Sequence, residues 1–497
     1  MTETSSSHPA AKWAYRSAGE LAESLRKKEI SALELTDQFI ARIEALDEGL
    51  NAVPVRDFTR AREAAREADA ALARGERRPL LGVPITVKES YNVAGLPTTW
   101  GIPAARGFVP DEDALAVARL KRAGAVILGK TNVPFVLGDW QSYNDIHGAT
   151  NNPWDKTRTP GGSSGGSSAA LAAGFGPLSL GSDIGGSLRV PAHFCGICAH
   201  KPTHGIVAPR GHVPPSLPAL PVAVDLAVIG PMARSVDDLT LALDLIAGPD
   251  EAAEGRGYLL SLPPARRDKL AEFRVLFIAD HPLLPTSPDV GASLEHLAKQ
   301  LTAAGVDVKR ETPLLPDLAA SARLYVKLLN AVVSARLPDE QYREMQVAIE
   351  KIPADDQSLI AELARGAVMS HREWQQADFA RQRLKQQWRA LFRDFDVVIC
   401  PPAATPAFRH DSSTPQEARK ITVGGREFPY LHGLVWAELA TTCGLPATVV
   451  PIAIAEGLPI GVQIIGPEFE DRTPLAFARM VEREFGGFTP PPGYASG

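Results

Sequence analysis

Short apolar segments of strand length alternate with amphipathic segments of helical period along most of this chain. The segment LLGVPITVKE at 80–89 predicts a buried strand, residues 113–122 predict a helix, and AVILG at 125–129 predicts the next strand. The order strand, helix, strand returns at 273–311, and two more strand-like runs precede a last helix around 475–485. Strands that alternate with helices predict an α/β fold in which helices cover both faces of a sheet.

Nothing along the chain indicates a boundary between two domains. The 497 residues contain no repeat of solenoid period and no long low-complexity linker, so we expect one domain spanning 1–497. Segment 1–80 is predicted to be helical, since S-x-x-E capping boxes begin at Ser17 and Ser31. A polar, helix-rich region at about 316–395 is predicted to be an insertion or a cap.

Composition and charge argue against several function classes. The net charge is −6 and the pI is near 6.0, which lacks the basic footprint of a nucleic-acid-binding protein. No run of eighteen apolar residues occurs, and the polar N-terminus has no apolar export segment. FCGIC contains a C-x-x-C pair, but no second close pair completes a zinc site, so we expect free buried thiols. We therefore expect a soluble, cytoplasmic protein that binds neither nucleic acid nor a membrane, as a monomer or a homodimer.

Two glycine-rich motifs match signatures of other enzyme classes, and their context argues against both. GAVILGKT at 124–131 fits the phosphate-binding pattern G-x-x-x-x-G-K-[ST], but its middle residues are themselves the predicted strand and cannot cradle phosphate. GGSSG at 161–165 fits the nucleophile elbow G-x-S-x-G, but polar residues stand where that elbow needs an apolar strand. An esterase of the α/β-hydrolase type is therefore a weaker alternative.

Lys88 and the glycine turn DIGGS are candidates for a base and an oxyanion hole. Lys88 ends a strand segment; if it is buried, desolvation lowers its pKa and makes the neutral amine a competent base, and a surface lysine is the alternative. In DIGGS, the consecutive N–H groups from Ile184 to Ser187 can converge on one oxygen as an oxyanion hole, or the glycines form an ordinary turn. Asp183 and Arg189 flank this turn with opposite charges and are expected to brace it.

The run GGSSGGSSAALAAG, continued by SDIGGSLRVP, resembles the signature of the amidase signature family. Further segments are similar to blocks of that family in the family's order: LLGVPITVKESYNVAGLPTT, GAVILGKTNVP, NNPWDKTRTPGGSSGG, CGICAHKPTHG, GPMARSVDDL and LPIGVQIIGP. The resemblance covers essentially the whole chain and is weak only between about 250 and 390. It implies a single large α/β domain in which helices surround a mixed, twisted β-sheet.

The same resemblance implies a Ser–cis-Ser–Lys triad in a core at about 81–250, with no metal or other cofactor. Matched block by block, the base is Lys88, the bridging serine after a cis peptide is Ser163, and the nucleophile is Ser187. The resemblance implies that four successive backbone N–H groups hold the oxyanion: those of Ile184, Gly185, Gly186 and Ser187. The other serines of the glycine-rich loop are expected to take no part in the chemistry: Ser164, Ser167 and Ser168.

The substrate pocket is where this sequence departs most from the family. Leu137 aligns with a substrate-contacting residue of fatty acid amide hydrolases and is expected to be a pocket wall. Phe135 stands where glutamate or glutamine is frequent, and Ser182 stands where threonine is common. Neither Phe135 nor Ser182 is expected to touch the three candidate catalytic residues. The helix-rich region 316–395 is expected to form part of the pocket, together with residues 137–145, which include Trp140, and residues 210–222.

The sequence therefore predicts hydrolysis of a small-molecule amide through an acyl-enzyme on Ser187, with side activity on esters. This predicted activity includes that of an aryl acylamidase, which acts on anilides, and that of a urethanase, which acts on carbamates. The alternative within the family is the amidase-like component of an amidotransferase, which works in a tRNA-dependent complex. The block YNVAGLPTT that follows Lys88 differs from what that component tends to have there.

Overall fold

The computed structural model describes residues 11–215, 217–220, 223–257 and 259–495. Residues 1–10 of the predicted helical segment and residues 216, 221 and 222 of the predicted pocket lie outside the described residues. The strands are β1 (Val55–Arg56), β2 (Pro84–Lys88), β3 (Val126–Thr131), β4 (Tyr143–Asn144), β5 (Gly148–Ala149), β6 (Leu178–Asp183), β7 (Cys198–Lys201), β8 (Val228–Ala233), β9 (Arg274–Phe277), β10 (Asp307–Lys309), β11 (Val397–Cys400), β12 (Lys420–Val423), β13 (Arg426–Pro429), β14 (Ala447–Ala455) and β15 (Leu458–Ile465). The α-helices are α1 (Ala11–Ala14), α2 (Ala18–Arg26), α3 (Ala32–Leu46), α4 (Phe58–Ala73), α5 (Leu115–Arg122), α6 (Gly165–Ala172), α7 (Arg189–Cys195), α8 (Val236–Ile246), α9 (Pro288–Ala303), α10 (Leu318–Ser334), α11 (Asp339–Ile349), α12 (Leu359–Ala367), α13 (His371–Asp394), α14 (Leu434–Thr441) and α15 (Arg472–Phe485).

Eleven of the strands form one mixed sheet in the order β1-β3-β2-β6-β8-β7-β14-β15-β11-β9-β10. β2 runs parallel to β3 and β6, and β9 runs parallel to β10 and β11, while the other neighbours are antiparallel. Every residue of β2, β3, β6, β7 and β8 is buried, which requires cover on both faces of the sheet. The predicted single-domain α/β fold, a mixed sheet surrounded by helices, is confirmed.

The N-terminal helices begin where the sequence predicts them. Ser17 and Ser31 are the N-caps of α2 and α3, and each forms a complete capping box with the glutamate three residues later. On α4, buried alanines from Ala61 to Ala71 face inward and the intervening charges face solvent. α3 and α4 pack on each other and on β3, at the edge of the sheet where β1 pairs with β3.

Two neighbouring parallel strands, β2 and β6, bring the candidate site residues together at their carboxyl ends. In the pairing of β2 with β6, Thr86 lies opposite Ser179 and Val87 lies opposite Leu180. Because the two strands run in the same direction, Lys88 at the end of β2 lies near the end of β6. The glycine turn that follows β6 therefore begins beside the lysine.

The helix-rich region between β10 and β11 comprises α10 to α13. Within it α10 packs on α12, and α10 also packs on α14, which lies outside the region. Its buried side chains, such as Tyr325 and Trp388, share one hydrophobic cluster with Trp140 and Val190 of the preceding core. This region is therefore packed into the same fold and reaches the elements that carry the candidate site. No helix within the described ranges is both long enough and apolar enough to cross a membrane.

Candidate active site

Lys88 is fully buried and its amine is surrounded by three serine hydroxyls. Its Nζ donates hydrogen bonds to Ser163 Oγ at 2.7 Å, Ser182 Oγ at 2.9 Å and Ser164 Oγ at 3.0 Å. Three acceptors match the three hydrogens of an ammonium group. A hydroxyl can also rotate and donate to the lone pair of a neutral amine, so this environment suits both protonation states.

Burial lowers the pKa of Lys88 to about 7, although the nearby Asp183 carboxylate opposes that shift. The alternative that Lys88 lies on the surface is therefore wrong. At neutral pH a large fraction of the side chain is an uncharged amine, which can accept a proton.

Ser163 is held against Lys88 by a tightly packed loop that precedes α6. The Gly162–Ser163 peptide bond is cis. Gly162 packs so closely on the backbone of residues 139–141 that a Cβ would lie 2.3 Å from the carbonyl oxygen of Asp139. The glycine next to Ser163 thus allows this approach between two backbones, which places the serine beside the lysine.

Neither of the competing glycine-rich motifs has the structure that its chemistry needs. Among the described residues, no strand runs into the loop at 161–165 as a nucleophile elbow requires. In the segment 124–131, residues 126–131 form β3, and Lys130 Nζ donates to Thr98 Oγ1 and the Pro97 carbonyl inside the protein. Both predictions against these motifs are confirmed.

The turn after β6 is braced by a buried ion pair between Asp183 and Arg189. Arg189 Nη2 donates to Asp183 Oδ1 at 2.8 Å and Arg189 Nε donates to Oδ2 at 3.0 Å, with both side chains fully buried. The same carboxylate accepts the N–H groups of Gly186 at 2.9 Å and Leu188 at 3.0 Å. Burial would raise the pKa of Asp183, but the charge and hydrogen bonds of Arg189, the N–H of Leu188 and the charge of Lys201 together lower it to about 2. The carboxylate therefore stays ionised and closes the turn.

Replacing Asp183 with asparagine is expected to lower the free energy of unfolding by about 3–5 kcal/mol, since it leaves a buried guanidinium without its counter-charge. The measurement is equilibrium denaturation by urea. The matched control is Glu295→Gln, which removes the exposed bidentate pair with Arg310. That variant is expected to lose less than about 1 kcal/mol. Equal losses in the two variants would contradict the role of the buried pair.

The four N–H groups predicted for the oxyanion hole are not equivalent in the structure. The N–H of Gly186 is already bonded to Asp183, so its predicted role as an oxyanion donor is corrected. In the described part of the chain, the N–H groups of Ile184, Gly185 and Ser187 have no acceptor. The carbonyl of Ser187 accepts the N–H of Ser164 at 3.2 Å, which fixes this end of the turn beside the Ser163 loop.

Two residues that touch the candidate base were missed by the sequence analysis. Ser164 and Ser182 both accept hydrogen bonds from Lys88, so the expectation that Ser182 does not touch the triad is wrong, while the expectation that Ser164 takes no part in the chemistry stays a prediction. Ser167 and Ser168, by contrast, lie on α6 and do not bond to Lys88. The signal for Ser182 was its place near the carboxyl end of a predicted strand, the end at which α/β proteins place their ligand sites.

The residues predicted to line a substrate pocket occupy different environments. Leu137 is half-buried in a short 3₁₀ turn at 135–137, and Phe135 on the same turn is 54% exposed. Trp140 is buried, and its indole N–H donates to the carbonyl of Gly185 at 2.8 Å. Trp140 therefore contacts the glycine turn itself, while Leu137 as a pocket wall stays a prediction.

Other titratable groups near the site are poor candidates for its base. His212 Nε2 lies 2.9 Å from Ser90 Oγ, and burial, followed by the charge of Lys88, lowers the pKa of His212 to about 3.

All four cysteines are free and buried, as expected from the sequence. No group of three or more His, Cys, Asp or Glu side chains that could hold a metal occurs among the described residues.

Comparison with known proteins identifies the family to which this site belongs. The family model described as Amidase matches residues 34–475. The chain belongs to the amidase family. This assignment confirms the resemblance drawn from the sequence motifs and supports amide hydrolysis as the class of activity. Residues 34–475 include the ends of β2 and β6 and the loop between them, so the amidase match spans the whole candidate site.

Relatives of this amidase-family chain carry different functions. It is 34% identical to a component of the glutamyl-tRNA(Gln) amidotransferase of Roseiflexus castenholzii, over 93% of this chain and 94% of that protein. It is 33% identical to the indoleacetamide hydrolase of Bradyrhizobium diazoefficiens, over 95% of this chain and 86% of that protein. The structure of 6-aminohexanoate cyclic dimer hydrolase superposes with a TM-score of 0.75 at 26% identity, covering 95% of this chain and 97% of that chain.

Proposed function

We propose that this protein hydrolyses the carbon–nitrogen bond of a small-molecule amide, with Ser187 as nucleophile, Ser163 as proton relay and Lys88 as base. The observation that carries the proposal is the buried Lys88 amine, 2.7 Å from Ser163 Oγ, with its pKa lowered to about 7. A base of this pKa works near neutral pH, and a hydroxyl can both accept and donate a proton. Membership of the amidase family supports the same reaction class.

In the proposed reaction, neutral Lys88 takes the proton of Ser163 as Ser163 takes the proton of Ser187. Ser187 Oγ then attacks the amide carbonyl, and a C–O bond forms as the carbonyl π bond opens. The negative oxygen is stabilised by the turn's unpartnered N–H groups, that of Gly185 among them. The proton returns from Lys88 through Ser163 to the leaving nitrogen, the C–N bond breaks, and water hydrolyses the acyl-enzyme.

The substrate proposed for this site is a linear amide, with anilides and carbamates as further members of the same reaction class. The similarity to a hydrolase of indoleacetamide supports a protein that acts on a free small molecule. Activated esters are expected to react as well, since the same serine nucleophile and oxyanion donors serve both acyl groups.

A role as one component of an amidotransferase is the second candidate function. It is favoured by the 34% identity to the glutamyl-tRNA(Gln) amidotransferase component over almost the full length of both proteins. Such a component would use the same serine and lysine to release ammonia from an amide inside a complex. The two candidates therefore differ in whether the isolated chain turns over.

The purified chain alone is expected to hydrolyse simple aliphatic amides, anilides or carbamates. Amides release a carboxylate with ammonia or amine, and carbamates release an amine, an alcohol and carbon dioxide; chromatography and mass spectrometry measure these products. A preparation of the Ser187→Ala variant, purified in the same way, controls for contaminating amidases. Release of ammonia from glutamine that needs partner proteins, with no turnover of the other amides by the isolated chain, would contradict the first function and support the second.

A further inference from the structure

Two aromatic side chains from distant parts of the chain hold the carbonyl groups of the glycine turn. Tyr325 on α10 is fully buried, and its hydroxyl donates to the carbonyl oxygen of Ile184 at 2.7 Å. Trp140 precedes the Ser163 loop, and its indole N–H donates to the carbonyl oxygen of Gly185 at 2.8 Å. Two successive peptide groups of the turn are therefore bonded from outside.

The planarity of the peptide bond turns these contacts into constraints on N–H directions. In a trans peptide the C=O of one residue and the N–H of the next point in opposite directions. The bond from Tyr325 to Ile184 therefore fixes the direction of the Gly185 N–H. The bond from Trp140 to Gly185 likewise fixes the Gly186 N–H, which points at Asp183 Oδ1 2.9 Å away.

A turn of two glycines needs such constraints because its peptide planes rotate with little steric resistance. Gly186 has a φ of +94°, which a residue with a side chain rarely adopts. Rotation of the 184–185 peptide plane would replace the Gly185 N–H with the Ile184 carbonyl, and an acceptor would then face the developing oxyanion. A wrongly oriented peptide would oppose the transition state instead of stabilising it.

We propose that Tyr325 is a positioning residue that keeps the Gly185 N–H directed at the oxyanion, while Trp140 holds the next peptide plane of the turn. This inference rests on the proposed amide hydrolysis at Ser187. It also gives the helix-rich region a role in the chemistry, because Tyr325 belongs to α10. The side chain of Tyr325 touches the turn and not the reacting atoms, so its effect acts through the peptide group that it holds.

The test is Tyr325→Phe, which removes one hydroxyl and keeps the buried ring. We expect kcat for the best amide substrate to fall about 10- to 100-fold with KM nearly unchanged, because a misdirected donor affects the charged transition state more than the neutral substrate. Inhibition by 2,2,2-trifluoroacetophenone, which forms an oxyanion adduct with a serine, is expected to weaken by a similar factor. Trp140→Phe removes the donor to the next peptide plane, whose Gly186 N–H keeps its bond to Asp183, and is expected to lower kcat by a smaller factor.

The matched control is Tyr15→Phe, because the Tyr15 hydroxyl also donates at 2.7 Å to a backbone carbonyl, that of Tyr494, away from the turn. This variant is expected to keep wild-type kcat and inhibitor affinity. The role of Tyr325 is overturned if Tyr325→Phe loses only thermal stability, which is the loss expected of Tyr15→Phe, or if it raises KM and leaves kcat unchanged. If the wild-type protein neither hydrolyses amides nor binds the ketone, the proposed function fails and the role of Tyr325 fails with it.

Discussion

Replacing Ser187 with alanine is expected to abolish amide turnover, with a fall in kcat of about 10⁴- to 10⁶-fold, because the proposed covalent step loses its nucleophile. The same variant is expected to lose labelling by a fluorophosphonate, which marks the serine that attacks. Intact-protein mass spectrometry checks this directly, because the wild type gains the mass of one adduct and the variant gains none. Peptide mapping of the labelled wild type should place the adduct on Ser187.

The matched control for this prediction is Ser168→Ala on α6. Ser168 is buried in the same glycine-serine segment, and its hydroxyl has no hydrogen-bond partner among the described residues. Removing that hydroxyl is expected to leave both turnover and labelling at wild-type levels. A Ser187→Ala protein that stays folded and keeps more than a small percentage of wild-type activity would move the nucleophile to another residue, with Ser163 or Ser164 as the next to substitute.

The fold was predictable from the sequence because its signals are local. The capping boxes at Ser17 and Ser31 and the apolar runs that became β2, β3 and β6 each depend on a few neighbouring residues. The alternation of these elements then predicts the α/β class. Matching the family blocks identified Lys88 and Ser163 as a pair, and the structure places the two side chains in contact.

The contacts that tune the site were not predictable, because they depend on strand register and on distant segments. Ser182 reaches Lys88 only through the pairing of β6 with β2. The Gly186 N–H was expected to face the substrate, and it bonds to Asp183 because the turn folds back over that carboxylate. Tyr325 comes from the region least similar to the family, and no local pattern indicates that its hydroxyl reaches Ile184.

Replacing Lys88 with methionine is expected to lower kcat/KM by about 10²- to 10⁴-fold, because the variant keeps the buried volume and loses the base. In the wild type, kcat/KM is expected to rise with pH through about 7, the value to which burial lowers the pKa of Lys88. The neutral amine is the active form of Lys88, and its fraction grows as pH rises through the pKa. The pH dependence of kcat/KM measured between pH 5 and 9 is expected to show this acidic limb in the wild type and to lack it in the variant.

A limb near pH 7 alone does not identify Lys88, because two other buried groups titrate in the same range. Burial lowers the pKa of Lys201 to about 7, and its Nζ donates to the carbonyls of Pro202 and Leu445, whereas burial raises the pKa of Glu438 to about 7. The variants Lys201→Met and Glu438→Gln are therefore the matched controls, and both are expected to retain the limb even if they are less stable. If the limb survives Lys88→Met and disappears in either control, the proton acceptor is not Lys88. Loss of the limb in Lys88→Met alone, by contrast, requires the base to be the amine that contacts Ser163.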